Sequence, residues 1–326
     1  MNNTLSRRSF LGLAAAFSCG GCRTMFTGTS GDYDERLAIL FSDAHISGTE
    51  PAYAYTQKKL RAFVAEVLRM TPLPRNIVFF GDLARRCGNR EDYAVAASLL
   101  KPLVDAGIRL TLGVGNHDHH KNFFEAFPER EKASPVPGVD VATVHLPDCD
   151  ILLLDSLNVS AEGGAGAGAL SDDEQAWLAA ELPKWPRPVL VGAHHEVTTL
   201  SAVGKPLCDV LAAAPNFRGY LGGHVHRWAP DWFCESGWGT SKRIWRRVTL
   251  PSLGYWGDIG WAEMRTSPSG AEVAAMLNDF YVARPIGYSE DGVKERPAAW
   301  GDVLAEKKVG SRCLIRLRPG NQASGG

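Results

Sequence analysis

The stretch GVGNHDHH, residues 113–120, closes an apolar run that starts at Arg109. It sets an amide, an imidazole, a carboxylate and two more imidazoles in consecutive positions. An apolar run that ends in glycine reads as a buried strand and the turn leaving it. Polar groups crowded at such a strand end are costly to bury unless something satisfies them. Metal ions or an anionic substrate would do so, and a surface turn with a chance cluster of histidines is the alternative. The choice depends on whether other strands end in the same way.

Working outward, they do. Leu37 to Asp43 is an apolar run ending in Ser42-Asp43-Ala44-His45, and Asn76 to Asp82 is a second that ends in a carboxylate. Between them, residues 52–70 carry Leu60, Phe63, Val64 and Leu68 at helical spacing. Residues 91–106 do the same with Tyr93, Ala96, Leu99 and Leu100. The first 120 residues therefore read β-α-β-α-β. In an open parallel sheet, ligands bind beyond the carboxyl ends of the strands, so the polar clusters share one rim.

The second half predicts strands at 139–144 and 149–155, then a helix opened by the capping box Ser171-Asp-Asp-Glu174. A strand from Pro188 ends in His194-His195, a helix covers 206–214, and a strand from Gly219 ends in His224-Val225-His226. Strands resume at 244–250, 260–266 and 271–282. The glycine-rich loop 162–168 is no phosphate loop, because no Gly-Lys-Ser/Thr follows it. Six of the nine tryptophans fall between 228 and 261, where core packing accounts for most of them and an aromatic wall beside a site is the alternative. Residues 286–318 give no clear assignment, and Pro319 to Gly326 reads as disordered. The expectation is an α/β fold with two sheets facing each other and helices outside.

An apolar content of 45% with 22% charged residues is that of a soluble globular protein. A net charge of -1 excludes nucleic-acid binding by bulk charge. Ser6-Arg7-Arg8-Ser9-Phe10-Leu11 is a twin-arginine pattern, and no acidic residue precedes Asp32. The apolar run after it is about half the length of a bilayer span. Cys19 and Cys22 follow small residues in the manner of a lipobox, Cys22 being the better match, with plain cleavage the competing reading. Any membrane contact is then a lipid anchor. The expected organisation is a signal peptide at 1–22, a linker at 23–35, a main folded domain at 36–285 and a C-terminal extension at 286–326. The expected location is periplasmic, or at the membrane as a lipoprotein. Cys87, Cys149, Cys208, Cys234 and Cys313 show no metal-ligand spacing, and buried thiols are the default.

The strand-end groups form one set: Asp43, His45, Asp82, Asn116, His117, His194, His224 and His226. Carboxylates, an amide and imidazoles suit two borderline transition ions such as Fe, Mn or Zn. Asp43 and His45 alternate along the chain, as do His224 and His226, so each pair can serve one site. A single carboxylate, Asp82, can bridge two ions. Two metals roughly 3.5–4 Å apart form a clamp for in-line displacement at phosphorus.

Asp-x-His, Gly-Asp, Gly-Asn-His-Asp, a later His and Gly-His-x-His, in this order over residues 37–227, resemble the calcineurin-like metallophosphoesterases. That group includes purple acid phosphatases and class III cyclic-nucleotide phosphodiesterases. The resemblance implies a four-layer α/β/β/α sandwich of two mixed sheets. It implies one metal on Asp43, His45, Asp82 and His226, and another on Asp82, Asn116, His194 and His224. It makes His117 the general acid, or stabiliser of charge at phosphorus, and Asp118 the carboxylate that orients it. The nucleophile would be a hydroxide held by the metals. The implied reaction is hydrolysis of a small-molecule phosphomonoester or phosphodiester. A pyrophosphatase or nucleotidase on the same fold, and a non-catalytic ligand-binding lipoprotein, are the alternatives.

Departures from the pattern concern three places. Glu196 stands where proline is common after the later histidine, and of the adjacent His194 and His195 the alignment favours His194. His119 and His120 have no counterpart. Arg85 stands where relatives often carry Asp or Asn, and Arg86 follows. An arginine there would clamp a phosphate through two bonds, and a solvated arginine at a helix entry is the plainer reading.

Overall fold

The apolar run Leu37–Phe41 is wholly buried, and its alternation feeds two different cores. Ala38 and Leu40 face one way, and Leu37, Ile39 and Phe41 the other. A strand with two apolar faces must be covered on both, which a layered fold achieves. A computed structural model describes residues 32–158, 168–200, 204–234, 243–282 and 311–318. The expected signal peptide, most of the glycine-rich loop and most of the C-terminal extension lie outside these residues.

The first half runs β1 (Tyr33–Phe41), α1 (Ala54–Val67), β2 (Leu73–Phe80), α2 (Arg90–Asp105) and β3 (Arg109–Gly113). Two short helices follow, α3 (His120–Ala126) and α4 (Pro128–Ala133). Then come β4 (Ala142–His145), β5 (Asp150–Leu153), α5 (Asp172–Glu181), β6 (Val189–Ala193), α6 (Gly204–Ala213) and β7 (Phe217–Gly222). The remainder is strand: β8 (Ala229–Cys234), β9 (Ile244–Thr249), β10 (Gly257–Ser267), β11 (Gly270–Val282) and β12 (Arg312–Arg316).

These strands build two six-stranded sheets, in the orders β12-β11-β10-β1-β2-β3 and β4-β5-β6-β7-β9-β8. Both are mixed. β1, β2 and β3 are parallel, as are β5, β6, β7 and β9, and antiparallel strands complete the edges. The sheets face each other across a core where Leu40, Val78 and Phe80 of the first meet Ile151, Leu190 and Leu221 of the second. The outer face of the first sheet packs Ile39, Phe41 and Phe79 against Leu60, Phe63 and Leu100 of α1 and α2. The outer face of the second packs Leu152 and Val191 against Leu178 of α5 and Leu207 and Leu211 of α6. The architecture is the expected α/β/β/α sandwich.

Three segments differ from expectation. β1 starts at Tyr33, inside the stretch read as linker, and pairs there with Leu73 and Pro74. The Tyr33 hydroxyl donates to the Ala106 carbonyl at 2.6 Å, which ties this polar beginning to the sheet. β12, from the unassigned segment, adds an edge strand to β11, so the extension returns to the domain. The helices α3 and α4 are too short to show a period, and Pro128 starts the second at a position where a missing N–H costs nothing. Among the described residues, no helix is long and apolar enough to cross a membrane.

Candidate metal centre

Strands β1, β2 and β7 stop in tight turns on the shared rim. Asp43, His45, Asp82, His224 and His226 all have positive φ, between 45° and 66°. Non-glycine residues in this left-handed region cost about 1–3 kcal/mol each and persist only where the surroundings hold them. Here the turns lie side by side and bond each other. Asp43, His45 and Ile46 donate their N–H groups to the carbonyls of Gly81, Asp82 and Leu83 at 2.8–3.0 Å. Gly223 donates to His194 O at 2.9 Å. Gly115 permits a close approach: a Cβ there would lie 2.3 Å from Asp82 Oδ1 and 2.7 Å from the His194 ring.

The result is a convergence of lone pairs. His226 Nε2 is 2.9 Å from Asp43 Oδ1, and His45 Nε2 is 3.5 Å from Asp82 Oδ2 and 3.4 Å from His226 Nε2. His194 Nε2 is 3.2 Å from both Asp82 Oδ2 and Asn116 Oδ1, and His224 Nδ1 is 3.0 Å from the same amide oxygen. Three imidazoles are held from behind by backbone carbonyls. Nδ1–H of His194 donates to Phe80, that of His226 to Trp256 and that of His45 to Arg85, at 2.8, 3.1 and 3.3 Å. A carbonyl can only accept, so this sets the tautomer and turns each Nε2 lone pair to the cluster.

This arrangement fits metal ions. Asp43 Oδ1 is buried with no hydrogen bond, although His226 Nε2 is close, so the two atoms aim at a common point rather than at each other. Donor separations of about 3 Å are those of ligands about 2.0–2.2 Å from one ion. Asp43, His45, Asp82 and His226 form one such group. Asp82 also touches His194, which with Asn116 and His224 makes the other side, so the residues expected to hold two metals come together with Asp82 between them.

The electrostatics follow from burial. Burial brings the pKa of His45 to about 4 against the pull of Asp43 and Asp82. It brings His224 to about 4 as well, helped by His194. Burial also works against charge on His194, but Asp82 and Asp43 outweigh it and raise its pKa to about 9. Both carboxylates lie well below their usual range, because the neighbouring imidazoles, His226 and His194 for Asp43 and His194 and His117 for Asp82, overcome their burial. A proton on His194 thus partly neutralises the pair, in the place where a divalent cation would displace it.

Two expectations need correction or refinement. Asp118 does not orient His117. Its Oδ2 accepts from the N–H groups of Gly115 and Leu83, and its Oδ1 from Ala84 N–H and the Tyr93 hydroxyl, at 2.9–3.2 Å. The turn after residue 115 points this side chain into the loop behind the site. His117 Nδ1 instead faces the Arg86 carbonyl at 3.1 Å. His117 N–H donates to Asp82 Oδ1 at 2.8 Å, and its ring lies edge-on to His45 at 5.0 Å. The second point concerns His195. Its ring neighbours His224 at 4.5 Å and its Nδ1 meets Ser156 Oγ at 2.9 Å, so it belongs to the second-site surroundings although His194 makes the contacts to Asp82 and Asn116. His120 is a structural partner of Asp155, at 2.7 Å.

The aromatic wall, the alternative reading of the tryptophan-rich segment, is present in part. Trp256 stacks on His226 at 4.2 Å, and Tyr255 lies 4.4 Å from His45. The tryptophan-rich segment was the available signal, but most of its described members are core: Trp228, Trp245 and Trp261 are buried, and Trp256 alone of these reaches the site.

The profile of a family described as calcineurin-like phosphoesterase matches residues 38–228. Among solved structures, a dimetal phosphatase from Danio rerio is 14% identical, with a TM-score of 0.55 over 73% of this chain and 95% of that one. A predicted phosphoesterase from Streptococcus pneumoniae is 13% identical, with a TM-score of 0.33 over 74% and 89%. No curated protein matches the chain.

Proposed function

The chain belongs to the calcineurin-like phosphoesterase family and is a metal-dependent phosphoester hydrolase; from that premise we propose that it is an exported enzyme that hydrolyses a small-molecule phosphomonoester or phosphodiester at a two-metal centre. The observation that carries this is Asp82, whose carboxylate lies within 3.5 Å of imidazoles from both halves of the donor set. One ion would rest on Asp43, His45, Asp82 and His226, and the other on Asp82, Asn116, His194 and His224. Bound there, the ions supply Lewis-acid stabilisation of a phosphoryl group and a more acidic water.

The protein's own groups do the rest. The backbone carbonyls behind His45, His194 and His226 hold the rings ready and spare the site reorganisation when charge develops. Nδ1–H of His117, donated to the Arg86 carbonyl, leaves Nε2 to carry the mobile proton. His117 is partly exposed at the mouth, in position to protonate a departing alkoxide. Trp256 packs on the His226 ring and Tyr255 on the His45 ring, which limits how far either imidazole can turn. Export rests on the pattern Ser6 to Leu11, and a lipid at Cys22 is the proposed means of membrane attachment.

The test is turnover of an aryl phosphate monoester and an aryl diester by protein stripped of metal and then supplied with Mn, Zn or Fe. Metal-dependent hydrolysis of at least one is expected. Absence of hydrolysis with every metal would remove the reading.

A further inference from the structure

Arg85 follows Asp82 by three positions, and it is not a solvated residue: only 8% of it is exposed. Its guanidinium lies over the Tyr53 ring at 3.3 Å and 5.9 Å from the Tyr255 centroid. The neighbouring carboxylate, Glu50, is 3.8 Å away, beyond hydrogen-bond reach. Nε is buried without an acceptor. Guanidinium offers about five N–H donors in a rigid fork; here Nε has no acceptor and Nη2 has the long ion pair with Glu50. A buried guanidinium held by one long ion pair and an aromatic face, with Nε unmatched, keeps capacity for a second, closer anion.

Its placement is tied to the metal centre. The Arg85 carbonyl takes the Nδ1–H of His45, and Tyr255, near the guanidinium, packs at a tilt against the same His45 ring. The backbone is pinned on both sides. Asp118 accepts from Leu83 and Ala84, and Asp92 accepts from the N–H groups of Arg85 and Gly48. A pinned, desolvated fork beside an aromatic face is suited to planar two-point binding of phosphate or carboxylate.

We propose that Arg85 recognises a second anionic group of the substrate, a phosphate or a carboxylate, adjoining the phosphoryl group that is hydrolysed. This rests on the phosphoesterase reading and narrows its substrate class to esters that carry two anionic groups. The aromatic floor of Tyr53 holds the guanidinium flat, so that the fork rather than the bare charge selects the ligand.

Calorimetric binding to the full-length, Mn-loaded protein tests this with three non-hydrolysable probes: methylphosphonate, phosphonoacetate and methylenebisphosphonate. At least one two-anion probe should bind better than methylphosphonate. Arg85→Gln should reduce that advantage by about tenfold to a hundredfold. Which probe loses it tells carboxylate from phosphate. Arg85→Lys keeps the charge without the fork and should recover only part of the advantage, which decides the matter if the Gln variant does not fold. An advantage unchanged in the variants, or an equal loss on all three probes, would overturn the proposal. Turnover of an aryl phosphate is measured alongside. No turnover of that ester or of a carboxylate-bearing aryl phosphate, together with an Arg85-dependent preference, would sink the hydrolase reading alone, and turnover without that dependence would sink the role of Arg85 alone.

Discussion

Replacing Gly115 by alanine should dismantle the metal centre while leaving every expected ligand in the chain. The new Cβ would stand 2.3 Å from Asp82 Oδ1, 2.6 Å from Asp82 N and 2.7 Å from His194 Cδ2. Carbon needs about 3.5 Å or more from such neighbours, so the shortfall is about 1 Å in each direction. None of the three can yield easily. One is backbone, one belongs to a carboxylate already bonded to His117 N–H at 2.8 Å, and one is a ring tied to Phe80 O at 2.8 Å. Relief must come from the turn itself, which carries Asn116. Overpacking of this kind typically costs about 1–3 kcal/mol of stability. Displaced ligand geometry should cost tenfold or more in metal affinity, about the effect of losing an outer-shell partner. Metal content per chain and thermal unfolding of the stripped protein measure the two effects separately. Gly138→Ala is the control for a glycine replaced without a clash: its φ is +80°, which Gly115 does not share, and nothing lies within 4 Å of its Cβ, so it should lose about 1 kcal/mol through backbone strain and no metal. Wild-type metal content and turnover in Gly115→Ala would refute the reasoning.

Other outcomes follow from named contacts. Asp118→Ala strands the N–H groups of Leu83, Ala84 and Gly115, at about 1–3 kcal/mol each, so unfolding should move far more than turnover per folded molecule; a loss confined to kcat would restore a catalytic dyad. His117→Asn should keep both metals and lower kcat most for poor leaving groups, and loss of metal would make His117 a ligand instead. Burial lifts Asp140 to about 7, with Asp155 adding to it and Arg130 opposing, from an ordinary 3.8. A carboxyl raised in the folded state adds stability below its unfolded pKa and loses it as pH rises through the folded one. Stability should therefore fall between about pH 4 and 7 on its account, a slope that Asp140→Asn should flatten in urea unfolding at several pH values; an equal slope in the variant would remove Asp140 as its source.

The sandwich was legible because its signal is periodic. Runs such as Leu37 to Phe41 and Ile77 to Phe80 are apolar on both faces, and the helices that follow them carry Leu60, Phe63 and Tyr93 on one side. The donor set was legible because strand ends share a rim, which makes residues as distant as Asp43 and His226 neighbours at 2.9 Å. The direction of a side chain leaving a turn was not legible. Asp118 follows His117 directly, yet its turn buries it against backbone donors, and φ at such positions depends on the neighbouring loop. The same applies to Arg85, whose burial under Tyr53 depends on a loop that starts near Glu50. β12 escaped notice because its buried residues, Cys313 and Ile315, gain their meaning only from the edge of β11.

Metal counting in the purified protein addresses the central claim most directly. If Asp82 joins the two halves of the donor set, the wild type should bind about two transition ions per chain, and Asp82→Ala should lose both together. A single ion in the wild type, or one retained at full affinity in Asp82→Ala, would contradict a bridged two-metal centre.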